Sequence, residues 1–324
     1  MDAEAGTGGA GRSPARPPRL DGTPRLDGTG RRRFSLFVIG DVRIEVRAAL
    51  DVRFAELTAD RLCYGPARAL VAGTAVNLAR CAVARFRRVS VLAKVGDDEF
   101  TPVIRRELRR IGARDRLRVE PGAPNGVTVM VRDRPDGGGP GVRLLVAEQD
   151  APGRRLTESE VRSAAGAIRR ADVLFLDGYS LLSPVSRAAL VAAAGAARAA
   201  GTAVAFDLVP HDIDARVPAA DVLPVLSAAD VVFAEAPTLA RLLGRAVPAG
   251  ADEVRALARA LDGAVQGRPL WLLRYGPTLL ERVLAHQREG PLMEYGTGYR
   301  DGDARAGFGD HLAVCELYWW LSSR

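Results

Sequence analysis

The residues best able to do chemistry lie near the end of the chain, where Ala304-Arg305-Ala306-Gly307-Phe308-Gly309-Asp310 runs into the apolar stretch Leu312 to Trp320. A loop with two glycines, closed by an acid and entering an apolar helix, presents several backbone amides to an anion and is a phosphate cradle by geometry. With a phosphoryl group on those amides, Asp310 stands where it can take a proton from an incoming hydroxyl. That chemistry belongs to a small-molecule kinase site. The same residues also read as a glycine turn before a buried helix, because short glycine motifs recur by chance. The elements around them have to separate the two readings.

Those elements alternate. Phe34 to Ile39 is a short apolar run that reads as a buried strand. Thr74 is a candidate helix cap, followed by Val76, Ala79, Val83 and Phe86 at helical spacing, and Val89 to Ala93 reads as the next strand. Val103, Ile104, Leu108 and Ile111 mark a second helix, and Thr157 with Glu160 forms a capping box before a third. Strands follow at Val173–Leu176, Ala203–Phe206, Val231–Phe233 and Leu270–Leu273, with an alanine-rich helix opened by Ser183-Pro184. The pattern predicts a parallel sheet covered by helices. Residues 42–71 and 115–150 break the rhythm with short β-like runs. Gly126 to Arg132 and Val142 to Val146 flank the turn Gly137-Gly138-Gly139 and read as a hairpin. Paired together, the two segments would form a small sheet over one edge of the active face, either a lid or extra edge strands.

Composition excludes several classes. With 324 residues and 48% hydrophobic content, the chain can bury one large α/β core or two smaller ones. The net charge is +7, yet Lys94 is the only lysine, and residues 1–33 carry seven arginines against four acids. The body therefore has little positive surplus and no basic stripe interleaved with aromatics, which argues against nucleic acid as a partner. Residues 1–33 are rich in glycine, proline and arginine, repeat Arg-Leu-Asp-Gly-Thr from Arg19 and Arg25, and read as a disordered tail before a domain spanning 34–324. Gly6 to Gly11 matches the dinucleotide glycine pattern, but no strand precedes it and no helix follows. Three widely spaced cysteines make a disulfide framework improbable and fit a reducing cytoplasm. No stretch is long and apolar enough to span a membrane.

In this order the residues resemble the ribokinase (PfkB) family of carbohydrate and nucleoside kinases from Phe34 to Arg324. Gly40-Asp41-Val42-Arg43-Ile44-Glu45 is similar to the first strand and its sugar-contacting acid, and Gly73-Thr74-Ala75-Val76-Asn77 to the glycine loop ending in a sugar-binding asparagine. Lys94-Val95-Gly96-Asp97-Asp98 matches a further family segment, and Gly307-Phe308-Gly309-Asp310 resembles the Gly-Ala-Gly-Asp signature. The resemblance implies an α/β, three-layer αβα body with a mostly parallel central sheet and a small β lid, and it admits a homodimer through that lid. It also implies ATP with Mg2+ and phosphoryl transfer to a hydroxyl of a sugar-like small molecule. Asp310 would be the base, the amides of Gly307, Phe308 and Gly309 the anion hole, and Glu45, Gly73 and Asn77 the acceptor site. Gly73 also reads as a plain turn and Asn77 as a residue bonding its own helix cap. No Gly-x-x-x-x-Gly-Lys-Ser/Thr loop exists, so the anion hole would work without a lysine.

Four departures go with the match. The family's Asn-x-x-Glu motif, which organises magnesium and phosphate, is expected after the Val231 strand, where Ala234-Glu235-Ala236-Pro237 stands and only Glu235 can compensate. Arg305 replaces the polar residue before the glycines and would either neutralise phosphate or face solvent. Glu45 lengthens the usual aspartate by one methylene. Family members also continue for several dozen residues past the signature, whereas this sequence reaches Arg324, which implies an incomplete adenine pocket. A catalytically impaired relative that binds a small molecule or regulates is the alternative to a working carbohydrate kinase.

Overall fold

The computed structural model describes residues 32–134, 141–209, 213–300 and 307–324. The tail up to residue 31, the hairpin turn at Gly137–Gly139 and Arg305 lie outside the described residues.

In chain order the first part contains β1 (Ser35–Ile39), β2 (Arg43–Ala49), β3 (Ala67–Ala72), α1 (Thr74–Ala82), β4 (Arg88–Leu92), β5 (Lys94–Val95) and α2 (Thr101–Ile111). It continues through β6 (Arg114–Asp115), β7 (Arg118–Val119), β8 (Val127–Arg132), β9 (Arg143–Ala147), α3 (Glu158–Ile168), β10 (Val173–Asp177) and α4 (Pro184–Ala199). The remainder is β11 (Ala203–Asp207), α5 (Ile213–Arg216), α6 (Ala219–Ala228), β12 (Val231–Glu235), α7 (Ala236–Leu242), α8 (Ala251–Ala260), β13 (Leu270–Tyr275), β14 (Arg282–His286), β15 (Met293–Gly296) and α9 (Phe308–Ser323).

The main sheet runs in the order β15-β14-β13-β12-β11-β10-β1-β4-β6. It is parallel from β13 to β6, and β14 and β15 close one edge antiparallel. Strands β10, β11 and β12 are apolar at every position but the last because both faces are covered. Phe37, Ile39, Leu174, Leu176 and Phe206 pack against α3, α4, α6, α7 and α8, while the alternating Leu36, Val38, Val173 and Phe175 pack against α1, α2 and α9. Each fully buried Leu or Phe contributes about 1.5–3 kcal/mol by leaving water. Thr157 caps α3 as its spacing predicts, the Glu160 amide donating to Thr157 Oγ1 at 3.3 Å and the Thr157 amide to Glu160 Oε2 at 2.7 Å. At α1 the cap is Gly73 rather than Thr74, which is already the first helical residue. Among the described residues no helix is long and apolar enough to cross a membrane.

A second sheet, ordered β3-β2-β8-β9, is the lid. The register places Glu45 beside Thr128 and Thr128 beside Ala147, and likewise Arg47, Met130 and Leu145. Arg43, Glu45 and Arg47 therefore share one face with those partners, and that face looks into a cleft. Leu144 and Val146, of opposite pleat, are exposed on the outer face. Lys94 and its neighbours are scaffold for this arrangement. The Lys94 ammonium pairs with Glu160 at 3.3 Å and Glu120 at 3.6 Å. Asp98 accepts from the Asn125 amide at 2.7 Å, which anchors the approach to β8.

Candidate active site

The cleft, about 540 Å³, opens at the carboxyl ends of the parallel strands. It lies where the strand order reverses between β1 and β10, the place where open α/β sheets take ligands. Three strands end in ionisable residues there. Asp177 closes β10 and pairs in register with Asp207 at the end of β11, and Glu235 at the end of β12 pairs with Arg274 of β13.

The end of the cleft beneath the lid collects Asp41, Arg43, Glu45, Gly73 and Asn77. Gly73 holds φ +98°, and a Cβ there would sit 2.4 Å from the Asp41 carbonyl oxygen, so only glycine lets α1 begin against this loop. Asn77 Oδ1 accepts from Arg80 Nη1 at 3.0 Å, not from its own cap, and Arg80 is held in turn by Glu107 at 2.9 Å. Glu45 pairs with Arg47 and Asp41 with Arg43. Asp177, fully enclosed behind Asp41, accepts from the Asp41 amide at 3.1 Å and the Tyr179 amide at 2.7 Å. Burial, reinforced by the neighbouring Asp41 charge, pushes its carboxyl up to about 6.

At the opposite end α9 begins. Gly307 is its N-cap at φ +86°, and Gly307, Gly309 and Asp310 line the cleft. The Phe308 side chain turns aside onto Tyr299, with ring centroids 4.9 Å apart, so this residue can offer the site only its backbone. Arg274, buried on β13, donates to the Gly309 carbonyl at 3.2 Å and lies 4.0 Å from Asp207. Its Nε has no hydrogen-bond partner among the described residues. Although burial works against the charge, Asp207, Glu316, Asp310 and Glu235 keep the guanidinium firmly protonated. Enclosure by the cleft walls, and then repulsion from Asp207, hold Asp310 up to about 8 despite Arg274. Val209 and Leu279 line the same cleft at φ 49° and 64°, left-handed values costing roughly 1–3 kcal/mol each, as strained backbone at ligand sites does.

All the expected residues that lie within the described structure border this cleft except the Phe308 ring. The Asn-x-x-Glu slot needs a correction of register. Ala234 points into the core, and Pro237 starts α7 without lining the cleft. The two side chains three apart that do line it are Glu235 and Thr238, with Thr238 Oγ1 3.4 Å from Glu235 Oε2. Sequence reasoning missed Asp177, Asp207, Arg154 and Arg274. Two of these, Asp177 and Asp207, carried a readable signal, a lone ionisable residue ending an apolar parallel strand, where ligands bind.

Sheet order, lid and cleft define a ribokinase-like α/β fold. The chain belongs to the pfkB family of carbohydrate kinases, whose family model matches residues 52–267. No curated protein matches the sequence. Among solved structures, adenosine kinase from Sinorhizobium meliloti has a TM-score of 0.72 at 19% identity, over 90% of this chain and 89% of that one. Anopheles gambiae adenosine kinase, in complex with a di(adenosine) tetraphosphate, has a TM-score of 0.70 at 16% identity, over 90% and 91%. Arabidopsis thaliana ribokinase, complexed with ribose and ATP, has a TM-score of 0.63 at 15% identity, over 82% and 78%. At these identities the likeness is one of fold.

Proposed function

We propose that this chain phosphorylates a hydroxyl of a sugar or sugar-like small molecule at the expense of ATP. The observation that carries this reading is the place of Asp310. It stands in the first turn of α9, in one cleft with Glu45, Gly73 and Asn77 at one end and Arg274 and Glu235 at the other. Asn77 commits its carbonyl oxygen to Arg80, leaving its amide NH2 to donate to an acceptor oxygen, while Glu45 accepts from a hydroxyl. Asp310 takes the proton of the attacking hydroxyl. The amides of Gly307, Phe308 and Gly309, with the Arg274 guanidinium, meet the charge that develops on transfer. The nucleotide that the family implies supplies the phosphoryl group, and its phosphates fit the unpartnered Nε of Arg274. Magnesium needs only one or two carboxylates besides water and phosphate, so Glu235 with Thr238 beside it fits as its protein contact.

Product formation across a panel of sugars and nucleosides, read by mass spectrometry with ATP and magnesium, tests the proposal. An acceptor-dependent phosphorylated product is expected. Binding without product at any magnesium concentration would instead favour a non-catalytic relative, a reading supported by the altered 235/238 pair. The corrected register sets a further expectation. Glu235→Asn combined with Thr238→Glu should raise magnesium-dependent turnover about 10-fold, the scale on which groups around a metal act. Ala234→Asn should instead lower stability by about 1–3 kcal/mol, because it buries an amide in the core. Equal behaviour of the two changes in turnover and thermal unfolding would reject the register.

A further inference from the structure

The cleft carries more guanidinium at its lid end than a neutral polyol can use. Arg43, Arg47, Arg143 and Arg154 all line it there. Arg47 is matched by Glu45 and Arg43 by Asp41, each in an ion pair. Arg154 donates to the Tyr179 carbonyl and lies over the Tyr179 ring at 5.7 Å. Neither Arg154 nor Arg143 has an ion pair among the described residues. Asp41 and Asp177 attract Arg154 through space without forming an ion pair with it, and the Asp177 carboxylate accepts from the backbone amides of Asp41 and Tyr179 behind the cleft wall.

Arg43 shows that the surplus is built in. It is only 4% exposed, it donates from Nη1 to the Glu148 carbonyl at 2.8 Å, and its Nη2 has no partner among the described residues. Glycine at 126 lets the chain pass Ala151, which a Cβ there would meet at 2.6 Å, and leaves β8 to begin beside the Arg43 side chain. Burying a guanidinium N–H without an acceptor is unfavourable unless a ligand brings the acceptor. The planar fork of arginine suits a phosphate or carboxylate, two oxygens at a time.

Resting on the kinase reading for which end of the cleft takes the acceptor, we propose that the acceptor is an anionic polyol. A sugar phosphate or a sugar acid has its charged group held by Arg143, Arg154 and the free nitrogen of Arg43, and its hydroxyls by Glu45 and Asn77. Arg43, Glu45 and Arg143 come from the lid strands β2 and β9, with Arg154 added from the segment that follows β9 and Asn77 from α1.

Calorimetry without nucleotide tests this on matched pairs, ribose 5-phosphate against ribose and gluconate against glucose, with inorganic phosphate alone as control. The anionic member of at least one pair should bind about 10-fold or more tightly than its neutral partner, the gain expected of one charge-assisted contact. Preference in the first pair identifies a phosphate and in the second a carboxylate. Arg143→Gln, at an exposed strand position that does not threaten folding, should erase most of that preference and leave the neutral affinity unchanged, and Arg154→Gln should lower the anionic affinity. Equal or tighter binding of the neutral members, failure of every anionic member to bind, or an equal loss for both members in Arg143→Gln would overturn the proposal. Its failure is distinct from failure of the kinase reading. Phosphorylation of neutral acceptors only keeps the kinase and rejects the anion site, whereas tight anion binding without product does the reverse.

Discussion

Asp310→Asn is expected to lower turnover about 100-fold to 10,000-fold while leaving acceptor binding intact, because an amide keeps the shape of the carboxylate but cannot accept a proton. The same substitution should make the protein more stable at neutral pH. The folded-state pKa of Asp310 is raised to about 8 by burial, then by Asp207. An unfolded aspartate titrates near 3.9. Folding therefore binds the proton more tightly. The resulting penalty on the ionised native state is absent below the unfolded value, grows as pH rises from about 4 to 8, and stays constant above. Asparagine removes it, so melting temperatures of wild type and variant should coincide near pH 4 and diverge by several degrees near pH 8, about 1–3 kcal/mol after discounting for partial solvent contact. Wild-type kcat should rise with pH through about 8 as the base deprotonates. Activity equal to wild type in Asp310→Asn would remove this residue from the mechanism, and a variant less stable at pH 8 would show that its carboxylate is structural.

Replacing Arg274 should have the next largest effect, and on both properties. Its guanidinium sits among Asp207, Glu316, Asp310 and Glu235, so Arg274→Met leaves several buried carboxylates without their counter-charge. Breaking a buried pair from one side costs about 3–5 kcal/mol. Behind it, Glu316 accepts from the Tyr295 hydroxyl at 2.7 Å and is already pushed up to about 7 by burial. Without the arginine, both Glu316 and Asp310 should shift further up, and the activity rise with pH should move above 8. Loss of a group aimed at the transferring charge should add a fall of about 100-fold to 1,000-fold in kcat. Arg274→Lys keeps a positive charge but lacks the fork that reaches the Gly309 carbonyl at 3.2 Å. It should recover much of the stability and little of the rate. A kcat and pH profile in Arg274→Lys identical to wild type would mean that any cation suffices, and unchanged kcat in Arg274→Met would exclude the residue from charge stabilisation altogether.

The layered body and the chemistry of its best-marked loop are legible in local residue pattern alone. Continuous apolar runs such as Val173–Leu176 and Ala203–Phe206 can be buried only between two helical layers. Helices at 3.6-residue spacing and the Thr157/Glu160 cap are written in local pattern, because local backbone hydrogen bonding and side-chain direction enforce them. The Gly307–Asp310 turn into an apolar helix was legible for the same reason. Antiparallel β14 and β15 were not, since short edge strands have no pattern that distinguishes them from loops. Which carboxylates and guanidiniums meet was decided only by tertiary structure. Asp177, Asp207 and Arg274 are far apart in the chain, and parallel register alone brings their strand ends to one cleft. The slot filled by Glu235 and Thr238 likewise depends on strand phase, since a shift of one residue turns a side chain from the cleft into the core, as Ala234 shows. The arginines of β2 and β9 face the cleft together only because the lid sheet pairs them across β8. Long-range pairing sets such a site, and no local pattern encodes it.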